Sequence, residues 1–391
     1  MRFIFIFLIV LGLSTELHAQ KSSDYSFIDK VMLQIPDSLT KTTQGIAHYV
    51  KVKFSKPTDQ SRAIFIWIAK NIKYDIDNMF AINFYQKTNE IIDKTLQTHK
   101  GICMSYAELF NDIANKVGLK TYVVSGYTKQ NGFVDYIPHA WCAGLIDSTW
   151  FLFDPTWGSG CIQNGKFVKQ INNYYYKIRP EQLVKSHMPF DPLWQFLNYP
   201  ITNQEFYEGK TQMNTKKVYF NFVDTLKQFE RQTEIEQLIS SSNRIEKNGV
   251  KNSLVFDRLE HNKRDIEYYN NKKVVECYNS AVNSYNNGIN LLNVFINYRN
   301  NQFTPKKLDA EIKQMVDTVE ILFNQSRLQL SSIKNPDTNT SISITQLNKS
   351  IDDASKNLNE QKAFVDKYIK TNKMFRKSLF TKYTWFGIPL N

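Results

Sequence analysis

The chain has 391 residues, 42% hydrophobic and 14% aromatic, with a formal charge of +12. That length allows two or three domains. The lysines are mixed with acids and form no basic runs interleaved with aromatics, and neither a P-loop nor a zinc-site spacing occurs, so no nucleic acid, metal or cofactor is expected.

The first 19 residues read as an export signal: Arg2, the apolar run FIFIFLIVLGL, and small Ala19 before Gln20. The run is too short to span a bilayer, and no later segment is long and apolar enough. No cysteine follows it, so no lipid anchor is expected. The mature protein is expected to be soluble and periplasmic or extracellular, where an anionic envelope polymer is a more natural contact than DNA.

From Ser22 to about Asp75 the pattern is helical. DQSRAIFIWIAKNIKYD places Ala63, Ile64, Trp67, Ile68 and Ile72 on one face. In GICMSYAELFNDIANKVGL, the stripe Tyr106, Leu109, Phe110, Ile113 and Val117 predicts a helix that Gly118 ends. The period then changes to two. KTYVVSGYT, HAWCAGLI and TWFLFDPTW predict strands, separated by turn-formers at Gln130-Asn131-Gly132 and Asp147-Ser148. Helices followed by an antiparallel meander make an α+β fold, without the βαβ alternation of a parallel sheet.

After about residue 206 the pattern is nearly all helical. Thr304-Pro305 reads as a helix start, and IKNPDTNTS breaks the next two helices. Two stretches keep a heptad rhythm, from Val274 to Phe295 and from Ile344 to Tyr368. They predict the seam of an antiparallel bundle or coiled coil. The weak Ala and Gln positions do not fix a partner, so a dimer seam is also compatible and the oligomeric state stays open. The apolar tail YTWFGIPL is expected to dock on another part of the protein. The expected organisation is a signal at 1–19, an α+β domain at 20–205 and a helical bundle at 206–391.

The four cysteines are Cys103, Cys142, Cys161 and Cys277. Their spacing fits no metal motif. Cys142 and Cys161 flank a predicted hairpin, and export permits a disulfide between them. Cys277 falls on the heptad stripe as a small buried hydrophobe. Cys103 stands at a predicted helix N-terminus, where unpaired amides and the helix dipole favour a thiolate and can hold an oxyanion.

A thiolate nucleophile needs a base, and the base an orienting acceptor. YIPHAWCAGLIDSTWFLFDPTW supplies both, His139 at the start of one strand and Asp154 at the end of the next. With a two-residue turn at Asp147-Ser148, Ile146 faces Thr149 and Asp154 faces Trp141. Asp154 then shares a face with His139, in the diagonal position that long side chains bridge. An odd loop would send Asp154 to the other face. Taken singly, a cysteine before a helix, a strand histidine and an Asp before Pro are each more often structural; together they point to a Cys–His–Asp triad.

RAIFIWIAKNIKYD, GICMSYAELF, GLKTYVVSGYTK, HAWCAGLIDSTWFLFDPTWGSG and HMPFDPLWQFL, over roughly residues 40–200, resemble the transglutaminase-like superfamily, and within it bacterial proteins related to the kyphoscoliosis peptidase group. The resemblance implies a papain-like core with the cysteine helix packed on an antiparallel sheet. It also implies Cys103 as nucleophile, His139 as base and Asp154 as its orienter, acting through a thioester on protein or peptide amides. Where the family often has Asn after H-A-W, this chain has Cys142. Tyr74, Tyr106 and Trp141 are the candidates for the side-chain part of an oxyanion hole or substrate wall. His48, His187 and His261 have no partner visible in the sequence.

Overall fold

The computed structural model describes residues 25–80, 86–380, 382–383 and 389–390. The expected signal at 1–19 and Trp385 and Phe386 of the tail lie outside these residues. The chain forms two compact units, Met1–Asn262 and Lys263–Asn391.

The first unit opens with helices α1 (Ser26–Met32), α2 (Thr43–Lys53) and α3 (Pro57–Asn71), then β1 (Lys73–Tyr74), α4 (Thr88–Thr98), β2 (Lys100–Gly101) and α5 (Cys103–Val117). Two of the helix starts and one helix end have a clear local cause. The Thr42 hydroxyl caps α2 by accepting from the Gly45 amide at 3.1 Å. Pro57 occupies the first position of α3, where no amide is needed. Gly118, at φ 101°, ends α5 in the left-handed conformation that glycine takes without a Cβ clash.

Strands β3 (Lys120–Gln130), β4 (Phe133–Ile146) and β5 (Thr149–Phe153) form the meander. After β6 (Gly160–Gln163), β7 (Lys166–Lys169) and α6 (Pro180–Leu183), strand β8 (His187–Pro189) adds to it. The antiparallel sheet has the order β5-β4-β3-β8. Both hairpins turn on two residues with positive φ, Asn131 and Gly132 at 50° and 84°, and Asp147 and Ser148 at 49° and 61°. Such turns match the strands' own twist. Ile146 pairs with Thr149 and Cys142 with Phe153, the register that puts Asp154 on the face of His139.

The sheet separates two cores. Ala140, Cys142 and Phe153 face the helices, packing with Ile64, Tyr106 and Phe110 of α3 and α5. Val124, Trp141, Ala143 and Leu152 point the other way, onto Leu183, Leu193 and Leu226. This is the transglutaminase-like, papain-like arrangement of a cysteine-bearing helix on a curled antiparallel sheet.

Short α7 (Asn203–Tyr207) is followed by α8 (Phe222–Arg231) and α9 (Glu234–Asn248). The expected domain boundary at 205/206 falls inside the first unit. Leu226 of α8 is only 4% exposed in the second core, a burial worth about 2 kcal/mol. Ile245 of α9 packs with Tyr127, and Arg244 forms a two-pronged pair with Asp191 at 2.8 and 2.7 Å. Helical composition does change near 206, but these helices cover the sheet's second face.

In the second unit, α10 (Ser253–Asn300, its first turns counted in the first unit), α11 (Asp309–Ser331) and α12 (Thr338–Lys370) bury one seam. Ala281, Leu292, Phe295, Leu347, Ile351, Leu358 and Val365 of the two heptad stretches lie in it. The Ser326 hydroxyl donates to the Ala281 carbonyl at 2.8 Å, and Gly288 leaves room for Phe323. Ala281 meets Ser326 and Gly288 meets Phe323, so the two helices run antiparallel. No helix among the described residues is long and apolar enough to cross a membrane.

Candidate active site

Cys103 is the first residue of α5, with Ile102 as its N-cap. The first amides of a helix have no partner within it and point out of its end. Cys103 is 7% exposed, and its sulfur lies 4.0 Å from the carbonyl oxygen of Pro138, the residue before His139.

Side-chain alternation puts His139 on the face of β4 opposite to α5, because Ala140 and Cys142 face that helix. The β4–β5 ladder stops at Cys142 and leaves the β4 edge beside His139 unpaired. Cys103 is among the groups that act on the imidazole.

On the other side of the ring, His139 Nε2 lies 2.8 Å from Asp154 Oδ2. Asp154 is fully buried. Its Oδ1 accepts from the amides of Thr156 and Trp157 at 2.9 and 3.0 Å, a local turn that fixes the carboxylate plane. Burial alone would lower the His139 pKa, but the charge and hydrogen bond of Asp154, with Cys103, raise it to about 10. Burial would likewise raise the Asp154 carboxyl, yet His139 and His187 hold it well below the usual carboxylate range. Both shifts favour an imidazolium beside a carboxylate. His139 Nε2 is engaged with Asp154, which leaves Nδ1 as the ring's other nitrogen.

His187 is the residue that the sequence did not reveal. Its Nε2 is 3.0 Å from the same Asp154 Oδ2, and its Nδ1 is 2.8 Å from the Ser186 hydroxyl. It arrives on β8, whose pairing with β3 joins residues about sixty apart, Thr128 to His187. Only the HMPFDPLWQFL block hinted at it. His139, Asp154 and His187 offer three metal-type ligand atoms within 4.8 Å of one another. Both ring nitrogens are already at hydrogen-bond distance from one carboxylate oxygen, so a cation there would have to displace those contacts.

A cleft of about 470 Å³ opens over the site. His139, Tyr74, Trp157, Phe167 and Tyr175 form much of its wall, and Asp135 is a carboxylate in it. The three oxyanion candidates separate. Tyr74 lines the cleft, and burial, then the charge of Cys103, pushes its phenol pKa up, so it remains a neutral donor. Tyr106 is fully buried and donates its hydroxyl to the Ile72 carbonyl at 2.9 Å; it holds α5 to the end of α3. Trp141 is 1% exposed and stacks against His139, ring centroids 6.1 Å apart, as the inner wall of the site.

All four cysteines are free thiols. Cys142 is buried and donates to the Ala107 carbonyl at 3.2 Å, while Cys161 is exposed on β6. The pairing entertained for these two is not formed, because one faces the helix-side core and the other the solvent.

The model of the transglutaminase-like superfamily matches residues 44–155, a span holding Cys103, His139 and Asp154. Mouse kyphoscoliosis peptidase is 31% identical over 173 residues, 42% of this chain and 25% of that protein. Drosophila melanogaster hillarin is 21% identical over 205 residues, 47% of this chain and 24% of that protein. The chain thus spans about a quarter of the length of these relatives. Among solved structures, the periplasmic domain of TgpA from Pseudomonas aeruginosa has a TM-score of 0.25 at 20% identity, over 34% of this chain and 49% of that one. A structure described as a TGase has a TM-score of 0.24 at 21% identity, over 41% and 38%. Over residues 44–155 the chain is thus similar to the transglutaminase-like superfamily, and the helix–sheet core that holds Cys103 and His139 carries a transglutaminase-like domain.

Proposed function

We propose that this protein is an exported cysteine-dependent acyl-transfer enzyme acting on amide bonds of protein or peptide substrates, cell-envelope components among them. Cys103 is the nucleophile, His139 the acid and base, and Asp154 the group that orients His139. The observation that carries the reading is the buried His139–Asp154 pair at 2.8 Å, with the Cys103 sulfur 4.0 Å from the carbonyl oxygen of Pro138, the residue before His139.

The Cys103 thiolate attacks the amide carbonyl carbon, forming a C–S bond and an oxyanion. Amides at the start of α5, with Tyr74, are the donors placed to hold that oxyanion. The C–N bond breaks as the imidazolium of His139 gives its proton to the leaving amine, and a thioester remains. Water or a second amine then attacks the thioester, His139 takes the incoming proton, and the thiolate is released. Water makes the enzyme a peptidase or amidase; an amine makes it a cross-linker. The peptidase name of the mammalian relatives favours water.

The second reading is a non-catalytic envelope-binding module that uses the same fold and the helical second unit. The near burial of Cys103 favours it. Iodoacetamide labelling of the native protein, resolved by mass spectrometry, separates the two. Rapid modification of Cys103 at neutral pH, lost in His139→Ala, is expected for the enzyme. A Cys103 as slow as Cys142, with or without His139, would leave the binding module. Incubation of wild type and Cys103→Ala with a mixed peptide pool then identifies the products.

A further inference from the structure

We infer that His187 is a positioning residue for the acyl-transfer reaction proposed above. As a neutral imidazole protonated on Nε2, it shares Asp154 Oδ2 with His139 and holds the carboxylate so that His139 presents Nδ1 to Cys103. This rests on the proposed function, but its structural core is independent of it.

The hydrogen bonds fit this arrangement. Asp154 is an acceptor only when ionised. His187 Nε2, 3.0 Å from Oδ2, must therefore carry the hydrogen. For a neutral ring Nδ1 is then the acceptor, and the Ser186 hydroxyl donates to it at 2.8 Å in preference to its longer contact with the Leu183 carbonyl at 3.4 Å. With the amides of Thr156 and Trp157 on Oδ1 and the two rings on Oδ2, the carboxylate makes four hydrogen bonds. Oδ2 cannot rotate away from His139 without losing His187 and disturbing the two amide bonds to Oδ1.

The surroundings keep His187 uncharged. It is 1% exposed and boxed by the rings of Trp157, Trp141 and Tyr175, with centroids at 4.5, 5.2 and 6.1 Å. The charged groups that act on it are Asp154 from the end of β5 and, from β4, His139 and Asp135. Burial outweighs the two carboxylates and, with the neighbouring imidazolium of His139, pushes the His187 pKa below the ordinary histidine value. A second positive ring beside His139 would be repelled by it, so the one carboxylate serves one charged and one neutral imidazole.

The test compares full-length wild type with His187→Gln, whose side-chain amide can still donate at the Nε2 position, and with His187→Phe, which keeps the ring and loses the donor. Cys103 alkylation by iodoacetamide is followed against pH, and ¹⁵N-histidine NMR reads the tautomers. His187→Phe is expected to alkylate about tenfold more slowly at neutral pH, the usual scale for removing an orienting partner, with the acid limb of its profile displaced upward. His187→Gln is expected to recover most of that loss. Equal rates in wild type and His187→Phe at every pH overturn the inference, as does an equal loss in both variants accompanied by lowered thermal stability. Should His187→Phe fail to fold, wild-type NMR decides. A neutral Nε2–H tautomer from pH 5 to 8 supports the assignment, and an Nδ1–H tautomer or a charged ring overturns it. If wild-type Cys103 labels no faster than in His139→Ala, the catalytic reading fails, while the tautomer of His187 still decides its role on Asp154.

Discussion

Gly126 of β3 lies directly under Trp141 of β4: a Cβ at position 126 would stand 2.6 Å from Trp141 Cη2 and 2.1 Å from the Met188 carbonyl oxygen. The backbone oxygen cannot yield, and the Trp141 ring is stacked on His139. Gly126→Ala must therefore push β8 off the sheet or drive the indole into the candidate site. Urea unfolding should show a loss of about 1–3 kcal/mol from overpacking. Iodoacetamide labelling of Cys103 in the same variant should slow. Wild-type stability would mean that β8 does not pack this closely.

Arg62 is 1% exposed and holds Asp29 of α1 with Nε and Nη2 at 2.7 and 2.6 Å, while Nη1 donates to Asn173 at 2.8 Å. Tyr25 and Tyr176 flank its guanidinium, with their ring centroids at 4.4 and 5.1 Å. Asp29→Ala leaves a buried cation without its anion and should cost about 3 kcal/mol. Replacing both residues, with Arg62→Met, should cost less than the sum of the single changes. A double-mutant cycle in urea measures the difference; strict additivity would show that the pair is not coupled.

The site's histidines predict a stability maximum near pH 6.5. The His139 pKa is raised from 6.5 to about 10 on folding. Its contribution is full below 6.5 and is lost as the pH climbs toward 10, with a slope of at most about 1.4 kcal/mol per pH unit. The His187 pKa is lowered on folding, so its contribution is present above 6.5 and falls below it. The Asp154 pKa is lowered as well, and its contribution disappears as the pH drops below 3.8. Unfolding free energies from pH 4 to 10 should show both limbs. His139→Gln should flatten the alkaline one and His187→Gln the limb just below 6.5.

Cysteine accessibility gives the most direct check of the β4 placement. Cys142 is fully buried with its thiol on the Ala107 carbonyl, and Cys161 is exposed. Native protein should label at Cys161 within minutes and at Cys142 only in denaturant. Non-reducing peptide mapping should find no Cys142–Cys161 bond. Finding that bond would require β4 or β6 to be displaced.

The local features of the site were legible because they depend on neighbours in the chain. The stripe from Tyr106 to Val117 fixed the reach of α5, and Gly118 its end. The two-residue turn at Asp147-Ser148 decided the parity of the hairpin, and parity alone carried Asp154 to the face of His139. The heptad stretches placed Ile351, Leu358 and Val365 in the seam for the same reason, since helical period is a property of the sequence itself.

What the sequence determined by itself, then, was the face on which each side chain lies within its own helix or hairpin. Only the tertiary structure decided what met across elements distant in the chain. It brought His187 onto Asp154 through the β3–β8 pairing, set the Cys103 sulfur against the Pro138 carbonyl beside His139, turned the hydroxyl of Tyr106 to Ile72, and carried Leu226 and Ile245 into the first unit. The physical reason is range: dihedral preference and side-chain period act over a few residues, whereas strand pairing and core burial act through space between segments that composition alone cannot match.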